Sequence, residues 1–372
     1  LAHKVAQSSI VLLKNKNSIL PLNKKIKKVA VVGPNADNRY NMLGDYTAPQ
    51  EDENIKTVLD GVISKLSPSK VEYVRGCAIR DTTVNEIAEV VEAASRSEVI
   101  IAVVGGSSAR DFKTSYQETG AAIADEKSIS DMECGEGFDR ATLTLLGKQQ
   151  DLLNALKATG KPLIVVYIEG RPLDKVWASE YADALLTASY PGQEGGYAIA
   201  DVLFGDYNPA GRLPVSVPRS VGQIPVYYNK KAPCNHDYVE QAASPLYTFG
   251  YGLSYTTFEY SDLQVMRKSP CYFEVSFKVK NTGSYDGEEV AQLYLRDEYA
   301  SVVQPLRQLK CFERFFLKRG EEKEIFFTLT EKDLSIIDRN MKRVVETGDF
   351  RLMIGASSDD IRLTKDISVE SL

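Results

Sequence analysis

The run Glu98-Val99-Ile100-Ile101-Ala102-Val103-Val104-Gly105 places six apolar residues in succession and ends at a glycine. β-Branched residues dominate the run, and its length suits a strand better than a helix. A strand that is apolar at every position is covered on both faces, which is typical of parallel sheets. The run therefore predicts a central strand of a parallel sheet.

Three further apolar runs repeat this pattern before residue 215, and they occupy residues 28–33, 162–168 and 184–188. A helical stretch lies between two of them, with Leu152, Leu153 and Leu156 on one apolar stripe and Gly160 as its stop. Strands that alternate with helices predict an α/β fold with a mainly parallel sheet. In such sheets, ligands bind beyond the carboxyl ends of the strands.

The chain opens with an amphipathic helical pattern that continues into Ile10-Val11-Leu12-Leu13. We therefore expect the first helix to extend to residue 13. A helix that starts so abruptly leads us to expect that further chain precedes it.

The second half of the sequence has a period of two. Apolar and polar residues alternate over 273–280, and the pattern returns around Leu293, Phe327 and Leu352. Alternation of this kind, interrupted by turn residues, predicts an antiparallel β-sandwich of about seven strands. The predicted domains are an α/β sandwich over 1–215, a connection rich in Pro, Gly and Tyr over 216–262, and a β-sandwich over 263–372.

Composition excludes several classes of function. The net charge of −6 offers no basic excess for phosphates, so we expect no nucleic-acid partner. No apolar run approaches the roughly 20 residues of a membrane span. The two histidines, His3 and His236, are isolated, so we expect no metal site, and no GxSxG motif supports a serine triad. Pro34 interrupts the only candidate for a dinucleotide-binding loop, so we expect no cofactor.

The segment from Gly105 to Phe138 follows the central strand and has no regular period, which is typical of a functional loop. It gathers carboxylates, namely Asp111, Glu118, Asp125, Glu126, Asp131, Glu133 and Glu136. Glu136 differs from the others because it lies between Gly135 and Gly137, where the backbone can approach a ligand closely. We therefore take Glu136 as the candidate catalytic carboxyl.

Two residues that follow Glu136 are candidate supporting residues. Asp139 is predicted to cap a helix that begins there, with its side chain on the free N–H groups. Arg140 is predicted to hold a carboxylate in place.

Several longer motifs resemble those of glycoside hydrolase family 3, the family of β-glucosidases and β-xylosidases. The motifs, in chain order, lie at residues 9–15, 31–37, 135–140, 170–173, 191–196, 205–214, 249–258, 281–283 and 304–310. The chain resembles the C-terminal two-thirds of that family. The resemblance implies an α/β sandwich domain followed by a fibronectin type III-like domain.

The resemblance also implies roles for particular residues. The segment 135–140 resembles the one that bears the family's acid/base glutamate, which implies that role for Glu136. The long loop before it leaves Glu133 as the alternative. The family's nucleophilic aspartate lies in an N-terminal (β/α)8 barrel, in a Ser-Asp-Trp-type motif. The single tryptophan, Trp177, follows no aspartate, so we expect the barrel to be a partner domain that these residues do not include.

The function implied is that of a retaining, exo-acting β-glycosidase that removes terminal β-D-glucosyl residues from oligosaccharides or glycosides. A β-xylosidase of the same family is the alternative within this class. A carbohydrate-binding or structural module without a catalytic role is the alternative from another class. The family's bacterial members imply a periplasmic or extracellular location.

Overall fold

The computed structural model describes residues 1–48, 50–108, 117–119, 130–232 and 236–370. The backbone divides into two compact units. The first contains residues 1–211 and 219–222, and the second contains residues 212–218 and 223–372. Within the described ranges, no helix combines the length and the apolar character needed to cross a membrane.

The first unit is built on a six-stranded sheet. Its strands are β1 (Val11–Asn15), β2 (Val29–Val32), β3 (Val71–Val74), β4 (Val99–Gly105), β5 (Leu163–Ile168) and β6 (Ala184–Ala188). Their spatial order is β1-β6-β5-β4-β2-β3. All neighbours are parallel except β1, which pairs antiparallel with β6. Every residue of β4, β5 and β6 is buried, which confirms the mainly parallel α/β sheet.

The described part of the first unit contains six α-helices: α1 (Ala2–Ser9), α2 (Val58–Lys65), α3 (Ile87–Ser95), α4 (Gln149–Ala158), α5 (Val176–Tyr181) and α6 (Gly195–Phe204). Helices α1 and α2 pack against α6, while α3 packs against α4. The predicted apolar stripe is confirmed, since Leu152, Leu153 and Leu156 of α4 are buried. Thr57 begins α2 through a capping box with Asp60, which satisfies two backbone donors at that end.

The predicted extension of the first helix to residue 13 is wrong. Helix α1 ends at Ser9, Ile10 adopts an extended conformation, and Val11–Asn15 form the edge strand β1. Residues 10–13 are all buried. An amphipathic helix buries only one side, so four successive buried residues fit a strand that pairs with β6 and is covered on both faces.

The order of the strands reverses between β2 and β4. From β2 the chain adds β3 on one side, returns to place β4 on the other side, and then continues outward through β5 and β6. Loops that leave the carboxyl ends of two such strands diverge and open a crevice between them. The segments after β2 and β4 therefore border the favoured ligand position of this sheet.

The second unit is an antiparallel sandwich. Its strands are β7 (Phe258–Ser269), β8 (Tyr272–Asn281), β9 (Gly287–Asp297), β10 (Gln308–Leu317), β11 (Glu322–Leu329), β14 (Gly348–Gly355) and β15 (Ile361–Val369). One sheet has the order β10-β9-β14-β15 and the other has the order β11-β8-β7. The short helix α7 (Glu331–Leu334) precedes a small two-stranded sheet of β12 (Ile336–Ile337) and β13 (Arg343–Val344).

Both sheets contribute to one apolar core. Phe277 of β8 and Leu293 of β9 are fully buried and belong to the same cluster as Leu352 of β14. The seven strands and their alternating burial confirm the prediction from the period of two. The first strand begins at Phe258, five residues before the sandwich domain predicted to start at 263.

Candidate active site

Buried polar side chains join the carboxyl ends of β2 and β4. Asn35 donates a hydrogen bond of 3.2 Å from Nδ2 to the carbonyl oxygen of Gly106. Its own Oδ1 accepts from Asn41 at 2.7 Å, and Ser107 donates to Asn41 Oδ1 at 2.6 Å. All three side chains are buried and hydrogen-bonded, so this hydrogen-bond network forms a rigid base for the loops that follow β2 and β4.

The candidate carboxyl, Glu136, lies at the tip of a tight turn. The backbone N–H of Gly135 donates to the carbonyl of Phe138 at 2.7 Å, and Phe138 returns a hydrogen bond of 3.2 Å to Gly135. Gly137 has a φ of 73°, a conformation that glycine adopts without the steric cost of a Cβ. The turn exposes the side chain of Glu136 to solvent.

Two residues of the loop after β2 contact Glu136. The hydroxyl of Tyr46 donates a hydrogen bond of 2.9 Å to Glu136 Oε2. The backbone N–H of Glu136 lies 3.4 Å from Asp45 Oδ2. One carboxylate oxygen of Glu136 is thus held by Tyr46, and the two loops of the switch point meet at this turn.

Glu133, the alternative, has a different environment. It is 3% exposed, and its Oε2 forms an ion pair with the Arg140 guanidinium. Burial raises the pKa of Glu133, while the charge of Arg140 acts in the opposite direction. Its backbone N–H donates to the carbonyl of Ser107 at 2.9 Å. The predicted role of Arg140 in holding a carboxylate agrees with this contact, and the carboxylate is that of Glu133.

The predicted capping role of Asp139 is wrong. No helix begins there, because α4 starts only at Gln149. The Asp139 carboxylate instead accepts a hydrogen bond of 2.7 Å from the backbone N–H of Arg140 and forms an ion pair of 2.7 Å with Arg171. These two contacts lower the pKa of Asp139, the backbone hydrogen bond more strongly than Arg171. The Asp139 carboxylate therefore joins its own loop to the loop after β5.

Among the other carboxylates of the 105–138 loop, Asp131 has its own partners on the loop after β3. Asp131 accepts from Arg75 at 3.2 Å and from the backbone N–H of Ile79 at 3.1 Å. Glu118 is exposed. The remaining three, Asp111, Asp125 and Glu126, lie outside the described residues.

Four residues near the turn were missed by the sequence analysis: Asp45, Tyr46, Arg171 and Tyr190. Tyr190 follows β6, has a φ of 35°, and its ring packs against two glycine backbones, so that a Cβ at Gly170 would lie 2.5 Å from it. A non-glycine residue at positive φ is a strain that often marks a functional site. The sequence did offer a signal for them, because ligands bind beyond the carboxyl ends of parallel strands. Applying that rule to every predicted strand, and not only to β4, would have included the loops that bear these residues.

Comparison with protein families assigns both units. Residues 10–255 match the glycosyl hydrolase family 3 C-terminal domain. Residues 289–358 match the fibronectin type III-like domain. The first match covers the α/β fold and extends to residue 255, into residues of the second unit, and the second match lies within the antiparallel sandwich.

Individual relatives support the same assignment. A β-xylosidase of Formosa agariphila is 40% identical over 97% of this chain, and a periplasmic β-glucosidase of Salmonella typhimurium is 39% identical over 97%. Among solved structures, a β-glucosidase mutant from Listeria innocua in complex with laminaribiose is 32% identical, covers 100% of this chain and superposes with a TM-score of 0.86.

The chain spans about half the length of the curated relatives it matches, since it covers 49% of each of the first two. It also covers 49% of the Listeria innocua chain. The share is therefore about half, and not the two-thirds that the sequence resemblance implied. The family match over 10–255 includes the turn of Glu136 and the strands that support it. The chain belongs to glycoside hydrolase family 3.

Proposed function

We propose that this chain supplies the acid/base carboxyl of a retaining β-glycosidase and that Glu136 is that carboxyl. The observation that carries the proposal is the contrast between the two candidate glutamates. Glu136 is exposed at the tip of a turn at the carboxyl edge of the sheet. Glu133 is 3% exposed and paired with Arg140, so a sugar cannot reach it without breaking a buried ion pair.

The proposed chemistry has two steps. Glu136 starts protonated and donates its proton to the glycosidic oxygen while a second carboxylate attacks the anomeric carbon. The leaving alcohol departs, and a covalent glycosyl-enzyme remains. Glu136, now a carboxylate, removes a proton from water, which attacks the anomeric carbon and releases the sugar with its original configuration. The hydrogen bond from Tyr46 to Oε2 leaves Oε1 for this proton transfer.

The second carboxylate belongs to the barrel domain in this proposal. Retention needs the two carboxyl groups about 5–5.5 Å apart, and these 372 residues contain no Ser-Asp-Trp-type motif. The curated relatives are about twice as long as this chain, which is consistent with a further domain in them. We therefore expect the 372-residue chain by itself to show no turnover of nitrophenyl glycosides; robust turnover would contradict this division of roles.

The test of the acid/base role is Glu136→Gln in a protein that carries both this chain and the barrel. General acid catalysis matters most when the leaving alcohol is a poor leaving group. We expect kcat/KM to fall by roughly 100-fold or more for alkyl glycosides, by less for 4-nitrophenyl glycosides, and least for 2,4-dinitrophenyl glycosides. Because removal of a proton from water is common to all substrates, kcat should fall for the 2,4-dinitrophenyl glycosides as well. The matched control is Glu89→Gln, an exposed glutamate on α3. Equal rates for Glu136→Gln and the unsubstituted protein would refute the role.

The proposed substrate is a terminal β-D-glucosyl residue, with a β-xylosyl residue as the alternative. Relatives named for each activity reach almost the same identity, 39% for the β-glucosidase and 40% for a β-xylosidase. Solved structures that match over nearly the whole chain are β-glucosidases, which favours the glucoside. Parallel measurements of kcat/KM for 4-nitrophenyl glucoside and xyloside decide between them.

A non-catalytic carbohydrate-binding or structural module is the competing class. It predicts that Glu136→Gln leaves every rate unchanged, so the same experiment separates the two classes. A periplasmic or extracellular location is part of the proposal, supported by the periplasmic relative of Salmonella typhimurium. Fractionation of the producing cells tests it, and activity confined to the cytosol would contradict it.

A further inference from the structure

Two sets of contacts, one inside the other, close the turn that bears Glu136. The inner closure is the pair of backbone hydrogen bonds between Gly135 and Phe138. The outer closure is the ion pair between Glu133 and Arg140, which lie two residues outside the inner pair on either side. Glu136 is therefore at the tip of a nested hairpin whose base is a buried charge pair.

The base of this hairpin is anchored on both sides. Glu133 is tied to the end of β4 by its backbone hydrogen bond of 2.9 Å to Ser107. Its carboxylate fills the space beside Gly106, where a Cβ would lie 2.1 Å from Oε1. Arg140 also donates to the carbonyl oxygen of Thr144 and, at 3.3 Å, to Thr142 Oγ1. The guanidinium thus binds the carboxylate and the chain that leaves the turn.

Burial makes this pair a rigid element. The side chains of Glu133 and Arg140 are 2% and 6% exposed. Neither charge can move into water without leaving the other unpaired in the interior, which is strongly unfavourable. A planar guanidinium also restricts the angle at which a carboxylate binds it.

We propose that Glu133 and Arg140 are positioning residues whose ion pair holds the Glu136 carboxyl in the orientation needed for proton transfer to the glycosidic oxygen. The inference rests on the proposed acid/base role of Glu136. Neither residue touches substrate; both act through the geometry of the 135–138 turn. A displacement of about 1 Å in a catalytic group can cost roughly 100-fold in rate.

The test is a double-mutant cycle with Glu133→Gln, Arg140→Gln and the combined variant, in a protein that carries this chain and the barrel. We expect each single change to lower kcat/KM about tenfold or more for poor leaving groups, with little effect on kcat/KM for 2,4-dinitrophenyl glycosides. The combined variant replaces the charge pair with two neutral side chains, and we expect it to lose less than the product of the single losses.

A matched control separates positioning from simple destabilisation. Arg212 and Glu289 of the second unit form another buried arginine–glutamate pair, with 2.6 Å between Nη2 and Oε1. We expect Glu289→Gln to lower thermal stability. Any loss of rate in this variant should be the same for good and poor leaving groups. Arg140→Lys keeps the charge and loses the fork geometry. If the glutamine variants do not fold, Arg140→Lys provides the test. We expect it to lose less activity than the glutamine variants, with the same dependence of the loss on the leaving group.

Three outcomes overturn the inference. If Glu133→Gln loses activity that Arg140→Gln keeps, Glu133 acts by itself and not through the pair. If Glu136→Gln shows the leaving-group dependence and the variants of the pair do not, the positioning role fails alone. If Glu136→Gln shows no such dependence, the acid/base assignment fails, and the positioning role fails with it.

Discussion

The hydroxyl of Tyr46 donates a hydrogen bond of 2.9 Å to Oε2 of Glu136, although 90 positions separate the two residues in the chain. Tyr46 lies in the loop after β2, and Glu136 lies in the loop after β4. Their contact bridges the strands between which the order of the sheet reverses. Tyr46 itself is 78% exposed, so the hydroxyl holds a carboxylate that remains open to solvent.

Tyr46→Phe removes that hydroxyl and leaves the ring. A hydrogen bond to a charged group contributes roughly 1.5–3 kcal/mol when sheltered and less when exposed. We expect a loss of roughly 3- to 10-fold in kcat for a 4-nitrophenyl glycoside in a protein that carries the barrel. Tyr299→Phe is the control, since Tyr299 is 84% exposed and lies in the second unit. Equal losses in the two variants would contradict a specific role for Tyr46.

Gly106→Ala tests the space that Glu133 occupies. A Cβ there would lie 2.1 Å from Glu133 Oε1, so the carboxylate has to shift from its position in the pair with Arg140. We expect the free energy of unfolding of the chain to fall by about 1–3 kcal/mol, as in other overpacked sites. Gly222→Ala is the matched control, because the nearest atom to its Cβ would be Ser220 Oγ at 3.8 Å. Denaturant titration measures both, and equal stability of the two variants would exclude the clash.

Lys175 and Glu169 form a buried ion pair at the end of β5. Lys175 is fully buried, its Nζ lies 2.6 Å from Glu169 Oε1, and burial lowers its pKa. Lys175→Met strands the Glu169 charge in the interior, so we expect a loss of about 3–5 kcal/mol in stability. Adding Glu169→Gln should restore part of it. Urea unfolding of the single and double variants measures the coupling, and a double variant less stable than Lys175→Met would contradict this account.

We expect Glu72 on β3 to make a pH-dependent contribution to the free energy of unfolding. Hydrogen bonds from Arg96 and then from Lys28, the latter at 2.8 Å, lower the pKa of Glu72. Its contribution is therefore complete above the unfolded-state pKa of about 4.3 and is lost as the pH falls through the folded-state pKa. We expect Glu72→Gln to cost a few tenths to about 1 kcal/mol at pH 7. The difference from the unsubstituted chain should shrink below about pH 4; a difference that grows there would be contrary to expectation.

Patterns within single segments predicted most of the fold. The apolar run 99–104 is buried at every position, and the alternation over 273–280 became a strand with one face in the core. These patterns are reliable because a strand buried on one face needs apolar residues at alternate positions, and a strand buried on both faces needs them at successive positions. The pattern failed at Ile10–Leu13, where a short apolar run fits a helix or a strand equally well and pairing with β6 decides between them.

The sequence by itself determined the α/β unit, the antiparallel sandwich and the choice of Glu136 as candidate, because local periodicity and local motifs carry that information. Only the tertiary structure decided which side chains meet. It paired Arg140 with Glu133, Asp139 with Arg171 and Tyr46 with Glu136. The last two contacts join loops from different strands, and the reversal of strand order brings the loops after β2 and β4 to one crevice. No pattern within one segment records such a meeting, since it depends on how distant strands are ordered in the sheet.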